Sequence, residues 1–251
     1  MNLHKSALWI AGVTLIAGAA FSHAEVKLLD PDYDFGIIRE TDGEQTGIAR
    51  LVNVGTEATY IRDVRPSCGC TGAAYNDNLL QPGDTTTVSF TYNPSGRPGK
   101  FNKTVKVYVG DGEERHVIRL SGRVVGSAKT LSRNYPIECG PLRLSERIVD
   151  LQNVKQATGR HAFIRIVNQS MDTVTPVWGQ DNPALSIDVA PEVIAPGEIA
   201  TLGIFLNSRF EKHSGDVEYS IPFRAEGDSA SVDILVRARI LPAEPEISAQ
   251  K

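Results

Sequence analysis

Leu80-Gln81-Pro82-Gly83-Asp84-Thr85-Thr86-Thr87-Val88-Ser89-Phe90-Thr91-Tyr92 is the stretch that decides the fold. Proline fixes φ, and glycine accepts the positive φ of a type II turn, so Pro82-Gly83-Asp84 reads as a turn into a strand. Thr87 to Tyr92 then alternates polar with apolar, the period-two pattern of a strand with one buried and one wet face. Lys103-Thr104-Val105-Lys106-Val107-Tyr108-Val109 alternates in the same way. Turn signals at Asp42-Gly43, Pro94-Ser95-Gly96 and Asp111-Gly112 separate further short runs. Many short strands in about 100 residues indicate a Greek-key β-sandwich.

The same plan recurs further along the chain. Ile194-Ala195-Pro196-Gly197-Glu198 repeats Leu80 to Asp84, and Leu202, Ile204 and Leu206 line one strand face beyond it. Arg50-Leu51-Val52-Asn53-Val54-Gly55 matches Arg165-Ile166-Val167-Asn168-Gln169-Ser170. Thr91-Tyr92-Asn93-Pro94 matches Phe205-Leu206-Asn207-Ser208, and Leu120-Ser121-Gly122-Arg123-Val124 matches Val236 to Ile240. Four matches in one order at nearly one offset predict two domains of one all-β fold. The expected divisions are 25–126, a linker at 127–134, 135–241, and a tail at 242–251. Asn53 and Asn168 are expected to cap the turn after the second strand of each domain by side-chain bonds to backbone.

The N-terminus reads as an export signal. Lys5 precedes an apolar run from Ala7 to Phe21, and Ser22-His23-Ala24 fits a cleavage site, making Glu25 the expected mature N-terminus. The run of about 15 residues falls short of the ~20 needed to span a bilayer, and no later stretch is long enough. Removing residues 1–24 takes Lys5 from the 26 basic residues and nothing from the 30 acidic ones. The resulting excess of acid gives no electrostatic reason to expect nucleic acid or an anionic membrane as partner.

Export places the three cysteines in a disulfide-permissive compartment. Cys68 and Cys70 flank a single glycine, and Cys139 stands alone. Several uses of the pair stay open. Gly69 permits a turn tight enough for a small, readily reduced disulfide ring. A redox catalyst needs a lowered thiol pKa, for which Arg62 and Arg65 are the nearby cations. Two thiolates are half of a zinc site, although the usual spacing is two to four residues, and His116, His161 and His213 show no ligand spacing. The plainest use is a loop staple or a pair of buried thiols. Cys139 offers a further variant, a disulfide to Cys68 or Cys70 that clamps the domains. The pair is expected to open a long loop running to Asn78, after a third strand over Thr59 to Val64.

Asp34-Phe35-Gly36, Leu51-Val52-Asn53-Val54-Gly55, Ser67-Cys68-Gly69-Cys70-Thr71, Gln81-Pro82-Gly83-Asp84, Gly99-Lys100-Phe101 and Leu120-Ser121-Gly122 occur in the order seen in the DUF1573 family. Residues 30–125 resemble that family, and the second half resembles the same fold without the cysteine motif. The resemblance implies tandem immunoglobulin-like sandwiches of the ASH and major-sperm-protein type in an exported bacterial protein. It carries over no biochemical activity.

No phosphate loop, dinucleotide turn, nucleophile elbow or His-x-x-x-His pair appears in the sequence. Glu113-Glu114 reads as a solvated turn. Asp172-Thr173-Val174 and Asp228-Ser229-Ala230 resemble acceptor triplets for envelope O-glycosylation. The expectation is a non-enzymatic binding or scaffolding protein of the periplasm or outer surface. It has no catalytic residues, metal or cofactor, and its partner is a protein or envelope component. The alternative is a thiol redox or metal-binding protein using Cys68 and Cys70. Ser67 to Asn78 and the segment around Trp178 to Pro183 are the candidate contact loops.

Overall fold

The computed structural model describes residues 23–179 and 181–242. The expected signal run therefore lies outside the described residues, as does the tail from 243 onward; Ala24 and Glu25 lead directly into the first strand.

The first half forms two four-stranded sheets. One is ordered β1 (Val26–Leu28), β3 (Gln45–Asn53), β6 (Thr85–Tyr92), β5 (Thr71–Tyr75). The other is ordered β2 (Asp32–Arg39), β8 (Arg115–Val125), β7 (Gly99–Val109), β4 (Ile61–Pro66). Alternation sends Ala49, Leu51, Val88 and Phe90 from one sheet against Val105, Val107, Ile118 and Leu120 of the other. Each of the Val, Leu, Ile and Phe side chains contributes about 1.5–3 kcal/mol by leaving water.

The second half repeats this topology strand for strand. One sheet runs β14 (Leu185–Ala190), β15 (Ile199–Asn207), β12 (Gly159–Asn168), β10 (Leu142–Leu144), with β9 (Ile137–Cys139) added at its edge. The other runs β11 (Ile148–Lys155), β17 (Ser231–Leu241), β16 (Gly215–Ala225), β13 (Pro176–Trp178). Its core joins Ile164, Ile166, Leu202, Ile204 and Leu206 to Phe223, Ile234 and Val236. The fold is a tandem pair of immunoglobulin-like β-sandwiches.

The repeated motifs do the same work twice. The buried Asn53 Nδ2 donates to Glu57 O (2.8 Å) and Leu80 O (2.9 Å), while its Oδ1 accepts from Gly55 N (3.0 Å). The buried Asn168 donates to Asp172 O (2.7 Å) and Ile194 O (2.9 Å) and accepts from Ser170 N (2.9 Å). Gly83 N and Gly197 N bond back to the carbonyls of those asparagines at 2.8 and 2.9 Å. Both glycines hold positive φ, +87° and +65°.

Three features depart from the sequence reading. The strand expected third, over Thr59 to Val64, is the fourth, β4 (Ile61–Pro66), and Thr59 contributes only an isolated bridge to Leu80. Thr71–Tyr75 is strand β5, so the cysteines do not open a loop running to Asn78. The polar connection between the halves contains a one-turn helix, α1 (Ala128–Leu131), capped by Ser127. Its Leu131 is buried with Tyr135 and Val167, a tertiary contact that no periodicity announces in so short a helix.

Candidate functional site

The cysteine turn is where the first-half chain crosses between its two sheets. Strand β4 is the edge of one sheet and β5 the edge of the other. Ser67 N leaves the first through a bond to Thr104 O (2.8 Å), and Asn93 N anchors the arrival by bonding Cys70 O (2.9 Å). Between them Thr71 N donates to Cys68 O (3.2 Å), closing a turn over Cys68 to Thr71. The sulfurs of Cys68 and Cys70 are joined across it, with the Cα atoms 5.3 Å apart.

The disulfide has a dry side and a wet side. Cys70 is 8% exposed and packs with Ile38, Tyr92, Phe101 and Val124, while Cys68 is half-buried against the same cluster. The Tyr92 and Phe101 rings stack 3.8 Å apart, and burial pushes the Tyr92 phenol pKa up. The Thr71 hydroxyl lies 3.5 Å from Cys68 Sγ and 3.9 Å from Cys70 Sγ. Gly69 is exposed, its φ lies outside the left-handed region, and a Cβ there would meet nothing within 4 Å. The turn therefore does not depend on glycine's freedom, contrary to the sequence argument.

The nearby arginines are engaged elsewhere. Arg65 pairs with Asp63 (2.5 Å) and lies 5.0 Å from the Tyr108 ring centroid, and Arg62 donates to Asp111 O (3.2 Å). Cys139 is a buried free thiol, 3.4 Å from Phe223 O, and burial pushes its pKa up. The clamp between Cys139 and the Cys68–Cys70 pair is thus overturned: its thiol is enclosed in the second core. Among the described residues no three His, Cys, Asp or Glu side chains gather in an arrangement that could hold a metal ion. Glu114 pairs with His116 at 3.1 Å. Trp178 is half-buried on β13 and packs on the second core. Thr173 and Ser229 are both exposed and border one shallow depression at the end of the second sandwich.

Two arrangements escaped sequence reasoning. Asp34 Oδ1 accepts Gly36 N (3.0 Å) where β2, pairing parallel with β8, shifts register between Asp34 and Ile37. Asp150 and Gln152 repeat that bulge at 2.8 Å in β11. The spacing Asp-x-Gly against Asp-x-Gln was the available signal. The other is Glu40, whose carboxylate accepts from Gly96 N (2.8 Å), Ser127 N (2.7 Å) and Thr130 Oγ1 (2.5 Å). Burial alone would raise its pKa, but the bonds from Thr130, Ser127 and Gly96 outweigh it and hold the pKa below the usual value.

Residues 26–124 match a family described as a protein of unknown function, DUF1573. They are a DUF1573 domain. The Cys68–Cys70 crossover lies within the matched DUF1573 residues, and the second sandwich lies beyond them. No curated protein matches the chain. Similar solved structures include a protein of unknown function from Porphyromonas gingivalis W83, 18% identical, covering 85% of this chain and 99% of that one at a TM-score of 0.36. The ASH/PapD-like domain 7 of human CEP192 is 17% identical, over 50% of this chain and 99% of that one, at 0.33. A tandem pair of titin immunoglobulin domains is 10% identical, over 87% and 97%, at 0.41.

Proposed function

We propose that this is a non-enzymatic binding or scaffolding protein of the bacterial envelope, exported with cleavage between Ala24 and Glu25. Its domains divide at 25–126 and 135–241, and the Cys68–Cys70 disulfide staples the sheet crossover of the first. The observation that carries the reading is the lodging of that disulfide. Cys70 is enclosed by the Tyr92–Phe101 stack, and both neighbouring guanidinium groups are committed to other partners. A thiol catalyst requires a stabilised thiolate, and a nearby cation or helix N-terminus is the usual means. The ring spans three residues, so the chain-entropy relation assigns it only about 1.6 kcal/mol.

The alternative, thiol exchange, draws on one observation: Cys68 is half-exposed beside the bare Gly69. Substituting Cys68→Ser with Cys70→Ser separates the two. The staple predicts a first sandwich less stable by about 1.5–3 kcal/mol and no change in thiol-dependent turnover of a model disulfide substrate. A wild-type protein that turns over that substrate, with the activity abolished in a variant of unaltered stability, refutes the scaffold.

A further inference from the structure

The internal repeat allows one half to serve as a control for the other, and at one place the halves differ in what covers them. In the second sandwich the Pro-Gly-acid turn is enclosed: Pro196 and Gly197 are buried. A Cβ on Gly197 would fall 2.8 Å from Val124 O and 3.2 Å from Val125 Cα. Glu198 uses one carboxylate oxygen to hold Ala195 N (3.0 Å) and the other to accept Arg123 Nη2 (3.3 Å). The covering element is thus the C-terminal end of β8, Arg123 to Val125.

The first sandwich builds the same turn and leaves it bare. Asp84 Oδ2 accepts Gln81 N (2.9 Å) as Glu198 holds Ala195 N, yet Gln81, Pro82, Gly83 and Asp84 are all exposed. A Cβ on Gly83 would meet nothing within 4 Å. The strand end that would fit there exists at the other end of the molecule. Arg239, Ile240 and Leu241 pair with β11 at the same register positions that Arg123, Val124 and Val125 occupy against β2. Arg239 is 61% exposed and bonded at 2.6 Å to Asp216, itself 71% exposed. A second bond from Arg239 Nη2 to Asp216 Oδ2 (2.9 Å) makes the pair bidentate, but both groups stay open to water and to an incoming carboxylate.

We infer that a second copy of this chain docks head to tail, the β17 end of one molecule seating on the Gln81–Asp84 turn of the next, with Arg239 meeting Asp84. The contact would reproduce between molecules the one that β8 and the Ala195–Glu198 turn make within one. It deepens the binding role proposed above by naming the partner. Because the two surfaces differ, the contact is heterologous, and repeating it builds open chains, or rings where its rotation closes. Within the molecule the tether raises the effective concentration to the millimolar range; between molecules it does not, so association is weak and salt-sensitive.

Sedimentation equilibrium on the purified protein, up to about 1 mM, tests this. The expected result is an average mass that climbs with concentration and falls back in about 0.5 M salt. Pro82→Glu blocks the socket and Arg239→Glu reverses the plug; each alone weakens association at least about tenfold. Both sites are on the surface, and unchanged melting curves verify that the variants fold. Mixing the two variants is expected to give a one-to-one dimer that grows no further, since one retains the plug and the other the socket. A monomeric wild type at every concentration, association unaffected by either substitution, or a mixture without dimers overturns the inference. None of these results bears on the cysteine staple, whose double-serine test stands apart.

Discussion

Replacing Asn53 by alanine puts a number on what the repeated asparagine contributes. Its side chain makes three buried or half-buried hydrogen bonds, two donated at 2.8 and 2.9 Å and one accepted at 3.0 Å. At about 1 kcal/mol net for each, the loss is about 3 kcal/mol for the first sandwich. For a domain of this size that lowers the melting temperature by about 12–24 °C. Asn53→Asp keeps the shape but turns an acceptor toward Glu57 O and Leu80 O, so at neutral pH it destabilises more than alanine. Protonation restores one donor. The folded-state pKa of that aspartate is therefore raised, its stability is retained below the ordinary carboxylate value, and it is lost as pH rises. The sandwiches can be read separately. Trp178 belongs to the second, and the other tryptophan, Trp9, precedes the expected cleavage site. Urea unfolding of Asn53→Ala should shift the first-sandwich phase in circular dichroism while Trp178 fluorescence holds its midpoint; Asn168→Ala should shift the fluorescence. A loss under about 1 kcal/mol, or an Asn53→Asp variant no worse than alanine at neutral pH, refutes the reasoning.

The paired bulges predict effects of opposite sign. Gly36 holds φ +68° and Gln152 holds +57°. Gly36→Ala should therefore cost about 1 kcal/mol and Gln152→Gly should gain up to about 1 kcal/mol, each measured by denaturant unfolding. The Arg50 guanidinium hydrogen-bonds Asp30 and, with the Arg50 backbone N–H, holds its carboxyl pKa down at about 2, against an ordinary 3.8. That pKa is depressed in the folded state, so its contribution is present above pH 3.8 and lost as pH falls through about 2. The stability difference between wild type and Asp30→Asn should shrink across that window and stay level above it.

The sandwiches were legible because their signals are local and doubled. Pro-Gly-acid fixes a turn, alternation fixes a face, and Asn53 and Asn168 share a spacing from their turns. What was missed lacks such a signal. Thr71-Gly72-Ala73-Ala74-Tyr75 contains residues of weak strand preference, and it becomes β5 only because β6 offers it a full ladder. Leu131 is one apolar residue in a polar run, and nothing nearby in sequence says that Tyr135 and Val167 receive it. For Cys68 and Cys70, spacing gave the possible chemistries. Which sulfur is enclosed, and where Arg62 and Arg65 turn, is set by Tyr92, Phe101, Asp63 and Asp111, residues distant in sequence or directed by strand pairing.

The second crossover explains why one half carries the cysteines. Asn93 N→Cys70 O in the first half corresponds to Asn207 N→Ala184 O (2.8 Å) in the second, and Thr71 N→Cys68 O to Leu185 N→Asn182 O (3.1 Å). Cys70 thus stands where the second half has the buried Ala184. Cys68 likewise stands where the second half has Asn182, and the two crossovers have the same length. In the second, Ala184 N bonds to Asn182 Oδ1 (2.8 Å), and Trp178 packs on the core beside the start of the crossover. In the first, Cys68 and Cys70 take those two positions, and a sulfur bridge laid on Tyr92 and Phe101 fills the volume and ties the turn. On this comparison the disulfide takes the place of the Asn182 side-chain bond present in the other half, as the proposed staple requires.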